Sequence, residues 1–469
     1  DEAIRFAASR LQAVKNEHGG EAIGVVGSPR LTNEANYALL KFAREVVGTP
    51  NYTATEAFTL APFFEHLGAP LATHRDIRRA KTIILIGGEP EELQPLTGRQ
   101  IRQAVRNGGA RLAIVNSREI RLRQQAAQFI HVREGSEDAA VLALASAGEA
   151  ELAARKLGVE TGELEALRRL VEETQGDVVV MFGGELSAEA QAVLAQLPAA
   201  FGEREGRRLL FHPLPLFNNS LGVHDLGLMS GAMNPLEILD AAGSSLRALY
   251  VAGSFLPEHF AGREGALSKL DFLVVQELFP TATTEHADVV FPAASFAEVD
   301  GTFTNNDGLV QRVRQSIPPV HQAKADWIIT SMLADALGVD FGFQMSSSAV
   351  FREIAERVPA YAGLRYPLLK DESQPVQAKY ELKGGGDGGR AQLGALIESV
   401  RELGESGERH SGTPPVGHEL FKVGTLTGKV PQFHLLAAGN PEPPDVLISP
   451  LYQITLDGSL RREAATAGD

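Results

Sequence analysis

Chemistry along this chain is expected where short apolar runs stop at glycine and polar side chains follow. Gly87, Gly88 and Glu89 come after KTIILI, Asn116, Ser117 and Arg118 after RLAIV, and Gly135, Ser136 and Asp138 after QFIHV. Gly183 and Gly184 follow DVVVMF, and Gly253 and Ser254 follow LRALYVA. At the carboxyl end of a parallel strand, a glycine turn or a helix N-terminus lets backbone N–H groups approach an anion. An acidic side chain there can hold a ribose or guanine edge and an arginine can hold a phosphate. Together the set could cradle a dinucleotide, although each glycine pair taken singly is also an ordinary tight turn.

Other chemistries lack their residues. No strand is followed by GxGxxG, and GTLTGKV (424–430) is too short for a phosphate loop and has valine where a magnesium-binding hydroxyl belongs. HELFK at 418 lacks the second histidine of HExxH, so histidine metal ligation is not expected. NNSLGVHDLGLMSGAMNP (218–235) contains His224 and Asp225, but no GxSxG elbow supplies a nucleophile. It reads as an ordered loop whose amides cap helices.

Composition excludes more. There is no cysteine, so no disulfide, thiolate zinc site, thiol nucleophile or four-thiolate iron–sulfur cluster forms within these 469 residues. A net charge of −15 gives nucleic acid no attractive field. The basic stretches at 98–111 and 118–125 read as solvated helix faces. No apolar run reaches the length of a membrane span, so no direct membrane insertion is expected. The opening, DEAIRFAASRLQAV, has no methionine and starts in helical phase with Ile4, Ala7, Ala8 and Leu11 on one face, and a piece of a longer polypeptide is expected.

The elements that must position these residues follow a β-α-β rhythm. EAIGVVGS (21–28), KTIILIGGE (81–89), RLAIVNS (111–117) and QFIHV (128–132) read as strands. LTNEANYALLKFAREVVG reads as a helix beginning near Thr32 or Asn33 and stopping at Gly48, with Ala35, Leu39, Phe42, Ala43 and Val46 inward. The rhythm restarts with DVVVMFGGE (177–185), RRLLFH (207–212), LRALYVAGS (246–254), LDFLVVQEL (270–278) and ADVVFP (287–292). Continuous apolar strands joined by helices imply parallel sheets covered on both faces. TIILIGGE echoes DVVVMFGGE, and AIGVVGS echoes YVAGS, which suggests two stacked domains. The expected fold is α/β, with two Rossmann-like doubly wound parallel sheets in residues 1–150 and 151–345. A poorly defined C-terminal extension follows in 346–469, with linkers at KGGGDGGR (383–390) and 404–417 around the helix AQLGALIESVREL. Strand-like pieces such as VLISPLYQITLDG complete it.

HADVVFPAASFAEVDGTFTNNDGLVQ, from residue 286, reads as a structural clasp. Asp288 leads a strand that Pro292 ends, Glu298 and the Gly301-Thr302 turn can accept or approach backbone N–H groups, and Asn306-Asp307-Gly308 reverses the chain. This stretch resembles a pattern of the molybdopterin oxidoreductase superfamily: a strand ending Ala-Asp-Val-Val-x-Pro, then Glu-x-x-Gly-Thr and an Asn-containing turn. LTNEANYALLKFAREVVGTPN (31–51) resembles in particular the large iron–sulfur subunit of bacterial NADH:quinone oxidoreductase, respiratory complex I. The resemblance covers about residues 1–340.

The resemblance implies a pair of Rossmann-like domains that, in active members, grip the two guanine dinucleotide arms of a bis-pterin molybdenum cofactor. By position it places Asn116 and Arg118 in an Asp-x-Arg slot and Gly135 and Asp138 in a Gly-x-Asp slot. Glu298, Gly301, Thr302 and Asn305 fall in the later loop. Two departures stand out: Asn116 replaces the acid, and GSFLPE (253–258) stands where the family has Gly-x-Asn-Pro. Active members offer molybdenum a Cys or selenocysteine, sometimes Ser or Asp, near the segment that here reads NYTATEAFTLAP (51–62). The oxygen donors there are Thr53, Thr55, Glu56 and Thr59, poor substitutes for a soft ligand.

The expectation is therefore a vestigial pterin-nucleotide cleft made of Gly87, Gly88, Glu89, Asn116, Arg118, Gly135, Asp138, Gly301, Thr302 and Asn305. No catalytic residue, metal ligand or cofactor is expected in this chain, and molybdopterin guanine dinucleotide is not expected to bind. Iron–sulfur clusters are expected in a preceding cysteine-rich region. Partners are expected to be other peripheral-arm subunits of complex I, on the cytoplasmic side of the cell membrane. An active formate dehydrogenase-like molybdenum enzyme and a non-redox nucleotide-binding module are the alternatives.

Overall fold

The computed structural model describes residues 1–56, 59–202, 204–253, 262–263, 265–370, 374–383, 386–406, 451–454 and 460–463. Ser254, most of GSFLPE and the GTLTGKV segment lie outside the described residues.

Two five-stranded sheets, each with every pairing parallel, form the framework. One contains β1 (Ile23–Gly27) and β2 (Tyr52–Ala54). The other is built from β3 (Thr82–Ile86), β4 (Arg111–Asn116), β5 (Gln128–His131), β6 (Val178–Phe182) and β7 (Leu209–Pro213), in the order β5-β4-β3-β6-β7. The chain then returns to the first sheet with β8 (Ala248–Ala252), β9 (Phe272–Glu277) and β10 (Val289–Pro292), giving β10-β9-β8-β1-β2.

The α/β class and the parallel sheets are as expected, but the strands do not divide at residue 150. Residues 82–213 make a complete sheet inserted between β2 and β8, so the first sheet is discontinuous in sequence. The echoes have the same cause. TIILIGGE and DVVVMFGGE are the neighbouring strands β3 and β6, and AIGVVGS and YVAGS are the neighbours β1 and β8. Each echo marks the place where strand order reverses within one sheet, the crevice where open α/β folds bind ligands.

Alternation along the strands covers both faces, as a buried parallel sheet requires. Val25, Tyr250 and Val274 enter one core of the first sheet while Val26, Val251 and Val275 enter the other. In the second sheet Ile84, Val115 and Val180 lie opposite Ile83, Ile114 and Val179 in the same way.

The helix Asn33–Lys41 begins where expected: Thr32 Oγ1 accepts the Ala35 N–H at 3.2 Å, and the chain leaves the helical path at Gly48, whose φ is 73°. It is buried all round rather than on one face. Helix Ser347–Arg357 covers its polar side, with Glu353 accepting from Lys41 Nζ at 2.6 Å and Tyr37 Oη at 2.8 Å. Residue 346 is accordingly no edge of the fold. Val350, Phe351 and Ile354 join the core of the first sheet, and Leu393, Ile397 and Val400 of helix Gly386–Ser406 join that of the second. This helix starts inside the glycine-rich stretch that reads as a linker. Residues 417–469 form a separate unit, described by the antiparallel hairpin Leu451–Ile454 and Leu460–Glu463.

A second hairpin, β11 (Gly301–Thr304) with β12 (Val310–Val313), carries the clasp. Glu298 accepts the N–H groups of Ser295 and Val320 at 2.7 and 2.9 Å, and Asp288 accepts that of Leu273 at 2.7 Å. The reversal is organised by Asn305, whose Oδ1 accepts from the N–H groups of Asp307 and Leu309.

Candidate functional site

At the reversal point of the second sheet, β3 and β6 end in glycines that approach closely. Gly87 and Gly88 have φ of 65° and 69°, and a Cβ on Gly183 would come within 2.6 Å of the Gly88 nitrogen. The backbone amides exposed by such a turn would suit an anion, but the chain supplies its own. Glu185 lies against these turns so tightly that a Cβ on Gly87 or Gly183 would collide with its carboxylate. Burial, first of all, raises the Glu185 pKa; the nearby Gly88 backbone dipole opposes this and the charge of Glu137 adds to it. Glu137 is fully buried and neither of its oxygens has a hydrogen-bond partner.

Arg118 faces these acids, 3.1 Å from Glu89 and 3.7 Å from Glu185. Asn116 is spent locally, its Nδ2 donating to the Gly88 carbonyl at 2.9 Å and its Oδ1 accepting the Arg118 N–H at 2.8 Å. Asp138 opens the helix Asp138–Ala145 and accepts the Ser187 N–H at 3.0 Å, while Gly135, with φ 78°, lies in the preceding turn. Gly87, Gly88, Glu89, Asn116 and Arg118 thus form one cluster.

Gly301, Thr302 and Asn305 serve the first sheet instead. A Cβ on Gly301 would lie 2.6 Å from Thr32 Cγ2, and the closeness lets Thr302 donate its N–H to Glu34 Oε2 at 2.7 Å and its hydroxyl to Oε1 at 3.0 Å. Tyr366 Oη donates to the same carboxyl at 2.9 Å, and Asn33 Nδ2 reaches Thr302 and Thr304. Glu34 is fully buried, and desolvation raises its pKa to about 7. At the reversal point of this sheet, Arg30 donates to the Gly253 carbonyl at 2.7 Å, joining the loops after β1 and β8.

The 218–235 segment is not the loop expected but carries the helix Ser220–Leu226 and a 3-10 turn Leu228–Ser230, while its amides do serve as caps and ties. Asn219 Oδ1 accepts the Thr304 N–H and its amide donates to Leu31, while Asn234 caps helix Pro235–Ala241. His224 stacks on Phe64, with ring centroids 4.5 Å apart, and Asp225 accepts from Tyr380 Oη at 3.1 Å.

The residues do not fit a molybdenum dinucleotide. The Glu185 carboxylate occupies the space beside Gly87 and Gly183 that a phosphate would need, in a cluster where two carboxyls face Arg118 and a third, Glu137, adds its charge to Glu185. In the segment where the family supplies the metal ligand, Thr53 donates to Met229 Sδ at 3.9 Å, and Glu56 accepts from the Ser220 hydroxyl. Both are buried, and neither offers a soft thiolate.

Sequence reading passed over Glu185 although it closes the strand-Gly-Gly-Glu echo, and passed over Glu34 and Arg30, which patterning treats as surface charges. It also missed His74, His212 and Asp307, whose ligating atoms all lie within 4.8 Å of one another. Their separations of more than ninety residues match no motif. His74 and Asp307 adjoin a cavity of 1230 Å³ that is also lined by Arg30, Thr97 and Asn218, among others.

Among curated proteins, the chain is 24% identical over 441 residues to a Bacillus subtilis (strain 168) protein named "Putative formate dehydrogenase YrhE", covering 79% of this chain and 45% of that protein. It is equally similar, at 24% identity and the same coverage, to a Staphylococcus aureus (strain USA300) protein that is also named "Putative formate dehydrogenase". The chain therefore spans about half the length of these relatives. Among solved structures, acetylene hydratase from Pelobacter acetylenicus shares the fold, with a TM-score of 0.61 at 14% identity over 81% of this chain and 63% of that one. None of these carries the name of the complex I component that residues 31–51 resemble. The family model described as molybdopterin oxidoreductase matches residues 1–336, and the chain belongs to the molybdopterin oxidoreductase family.

Proposed function

We propose that this chain is a non-catalytic scaffold of an electron-transfer oxidoreductase, in which a cofactor-holding architecture is kept and its binding cleft is filled by the protein itself. The observation that carries this reading is the Glu185 carboxylate packed into the space beside Gly87 and Gly183, with Glu89 and Glu137 near it. A phosphate entering that turn would displace a buried carboxylate and meet two more. Such like-charge crowding at low effective dielectric costs several-fold more than in water. The absence of cysteine from these residues agrees with it, because electrons would have to travel through clusters held elsewhere. The finer reading, that the assembly is an NADH:quinone oxidoreductase with this chain as part of its large iron–sulfur subunit, rests on the resemblance of residues 31–51.

The names of the relatives favour a second reading, a formate dehydrogenase-like molybdenum enzyme. Elemental and nucleotide analysis of the native assembly separates the two. The scaffold reading expects neither molybdenum nor guanine nucleotide to be released from this chain on denaturation. Stoichiometric amounts of both would overturn it in favour of the second. Co-purification with NADH-dependent quinone reduction, lost when the chain is depleted, tests the identity of the assembly.

A further inference from the structure

We propose that His74, His212 and Asp307 form a divalent transition-metal site of the zinc class that ties the β11–β12 hairpin to the second sheet. The inference stands apart from the scaffold reading, since it concerns neither molybdenum nor the glycine cradle.

The three residues arrive from separate elements. His74 is the first residue of helix His74–Arg79, His212 lies in β7, and Asp307 lies in the turn of the hairpin. Asp307 is 2% exposed and held from several sides. Its Oδ2 accepts the His74 backbone N–H at 2.8 Å, its N–H donates to Asn305 Oδ1 at 3.0 Å, and its carbonyl accepts from Gln377 at 2.6 Å. Its Oδ1 is left buried without a hydrogen-bond partner, 3.7 Å from His74 Nε2 and 3.9 Å from His212 Nδ1.

His212 is fully buried. Its Nδ1 lies 3.0 Å from the Ala72 carbonyl oxygen, and its Nε2 has no partner. A carbonyl accepting one ring N–H fixes the tautomer and leaves the other nitrogen basic, the usual arrangement behind a metal-bound imidazole. His74 Nε2, the nitrogen nearer Asp307, is 3.0 Å from Thr97 Oγ1, a contact the ring would exchange for the cation.

Asp307 Oδ1 and His212 Nε2, each buried without a hydrogen-bond partner among the described residues and belonging to one cluster, are costly unless a shared cation satisfies them. Zinc–ligand distances of about 2.0–2.2 Å in tetrahedral geometry put ligand atoms about 3.3–3.6 Å apart, so the 3.7 Å between His74 Nε2 and Asp307 Oδ1 nearly fits already, while the His212 ring must turn its Nε2 toward them. Two imidazoles and a carboxylate suit zinc, and His74 and Asp307 border the cavity, so the remaining position is open to water or a small anion.

The test uses the full chain, stripped with a chelator and titrated with Co²⁺ and then Zn²⁺. Tetrahedral cobalt bands at stoichiometric loading, displacement by Zn²⁺, and a zinc-dependent rise in the thermal midpoint are expected. Asp307→Asn and His74→Ala should each weaken binding by at least about tenfold. His212→Ala removes a fully buried ring and puts folding itself at risk, so the other two variants, judged folded by circular dichroism, decide the matter. Cobalt uptake that is absent, or that persists unchanged in both variants, would overturn the proposal.

Discussion

The Glu34 carboxyl accepts the Thr302 backbone N–H at 2.7 Å across 268 residues of sequence, and this contact joins the two segments whose sequences most resemble the family. Burial raises Glu34 to about 7, and Asp225 and Asp326 are raised to about 7 for the same reason. A carboxyl whose folded pKa lies above its unfolded value makes the native state bind more protons. Its contribution is complete below about pH 4 and is lost as pH rises through 7. His224 has the opposite slope: burial lowers it to about 4, so its contribution is lost as pH falls from about 6.5 through 4. Glu185 is raised by burial as well and His212 is lowered by it, so four acids outweigh two histidines, and stability should fall between about pH 5 and 8. Urea midpoints at those two values should differ less in Glu34→Gln than in the wild type, because the amide does not titrate.

Asn116 stands where the family has an acid, and its surroundings explain why an acid would not be tolerated. The side chain is 1% exposed and donates to the Gly88 carbonyl, a bond that a carboxylate cannot make. Asn116→Asp would place a negative charge against that oxygen and near Glu89 and Glu185. A loss of about 2–4 kcal/mol in denaturant unfolding at pH 7 is expected, shrinking as the pH is lowered toward 4. An unchanged stability would mean that the pocket still has room for the family residue.

Glu185 offers a direct test of the filled cradle. With Glu185→Ala the carboxylate leaves the space beside Gly87 and Gly183. The wild type should show no thermal shift with GMP or GDP, whereas the variant should show a shift that grows with nucleotide concentration. A shift in the wild type would mean that the cleft is already open to nucleotide.

Much of the framework could be read from the chain because each strand is a continuous apolar run and each reversal point ends in glycine. KTIILIGGE and DVVVMFGGE announce both the strands and their turns. Which strands share a sheet was not legible: β6 pairs with β3, and β8 with β1, through contacts that no local pattern encodes. The site divides in the same way. Gly87, Gly88 and Asn116 stand out because strand ends are readable, whereas the meaning of Glu185 depends on its folding back over those glycines. Glu34 looks like a surface charge in helical phase, and only the arrival of Thr302 and Tyr366 makes it a buried hub.

Gly231 gives the sharpest prediction for the amide-rich segment. Its Cα approaches β2 so closely that a Cβ would collide with the Tyr52 carbonyl oxygen and lie 3.0 Å from the Tyr52 nitrogen. Both neighbours are backbone, and the next residue fixes the approach, because the Ala232 N–H donates to the Pro50 carbonyl at 2.8 Å. Neither side can yield by turning a side chain, so Gly231→Ala must push the 228–234 loop off the sheet edge. A destabilisation of about 3–5 kcal/mol is expected, at the upper end for a single methyl group. Gly338→Ala, where an added Cβ meets nothing within 4 Å among the described residues, should lose far less, the remaining cost coming from its φ of 85°. Equal losses from the two substitutions would show that backbone conformation rather than the contact with Tyr52 sets the requirement.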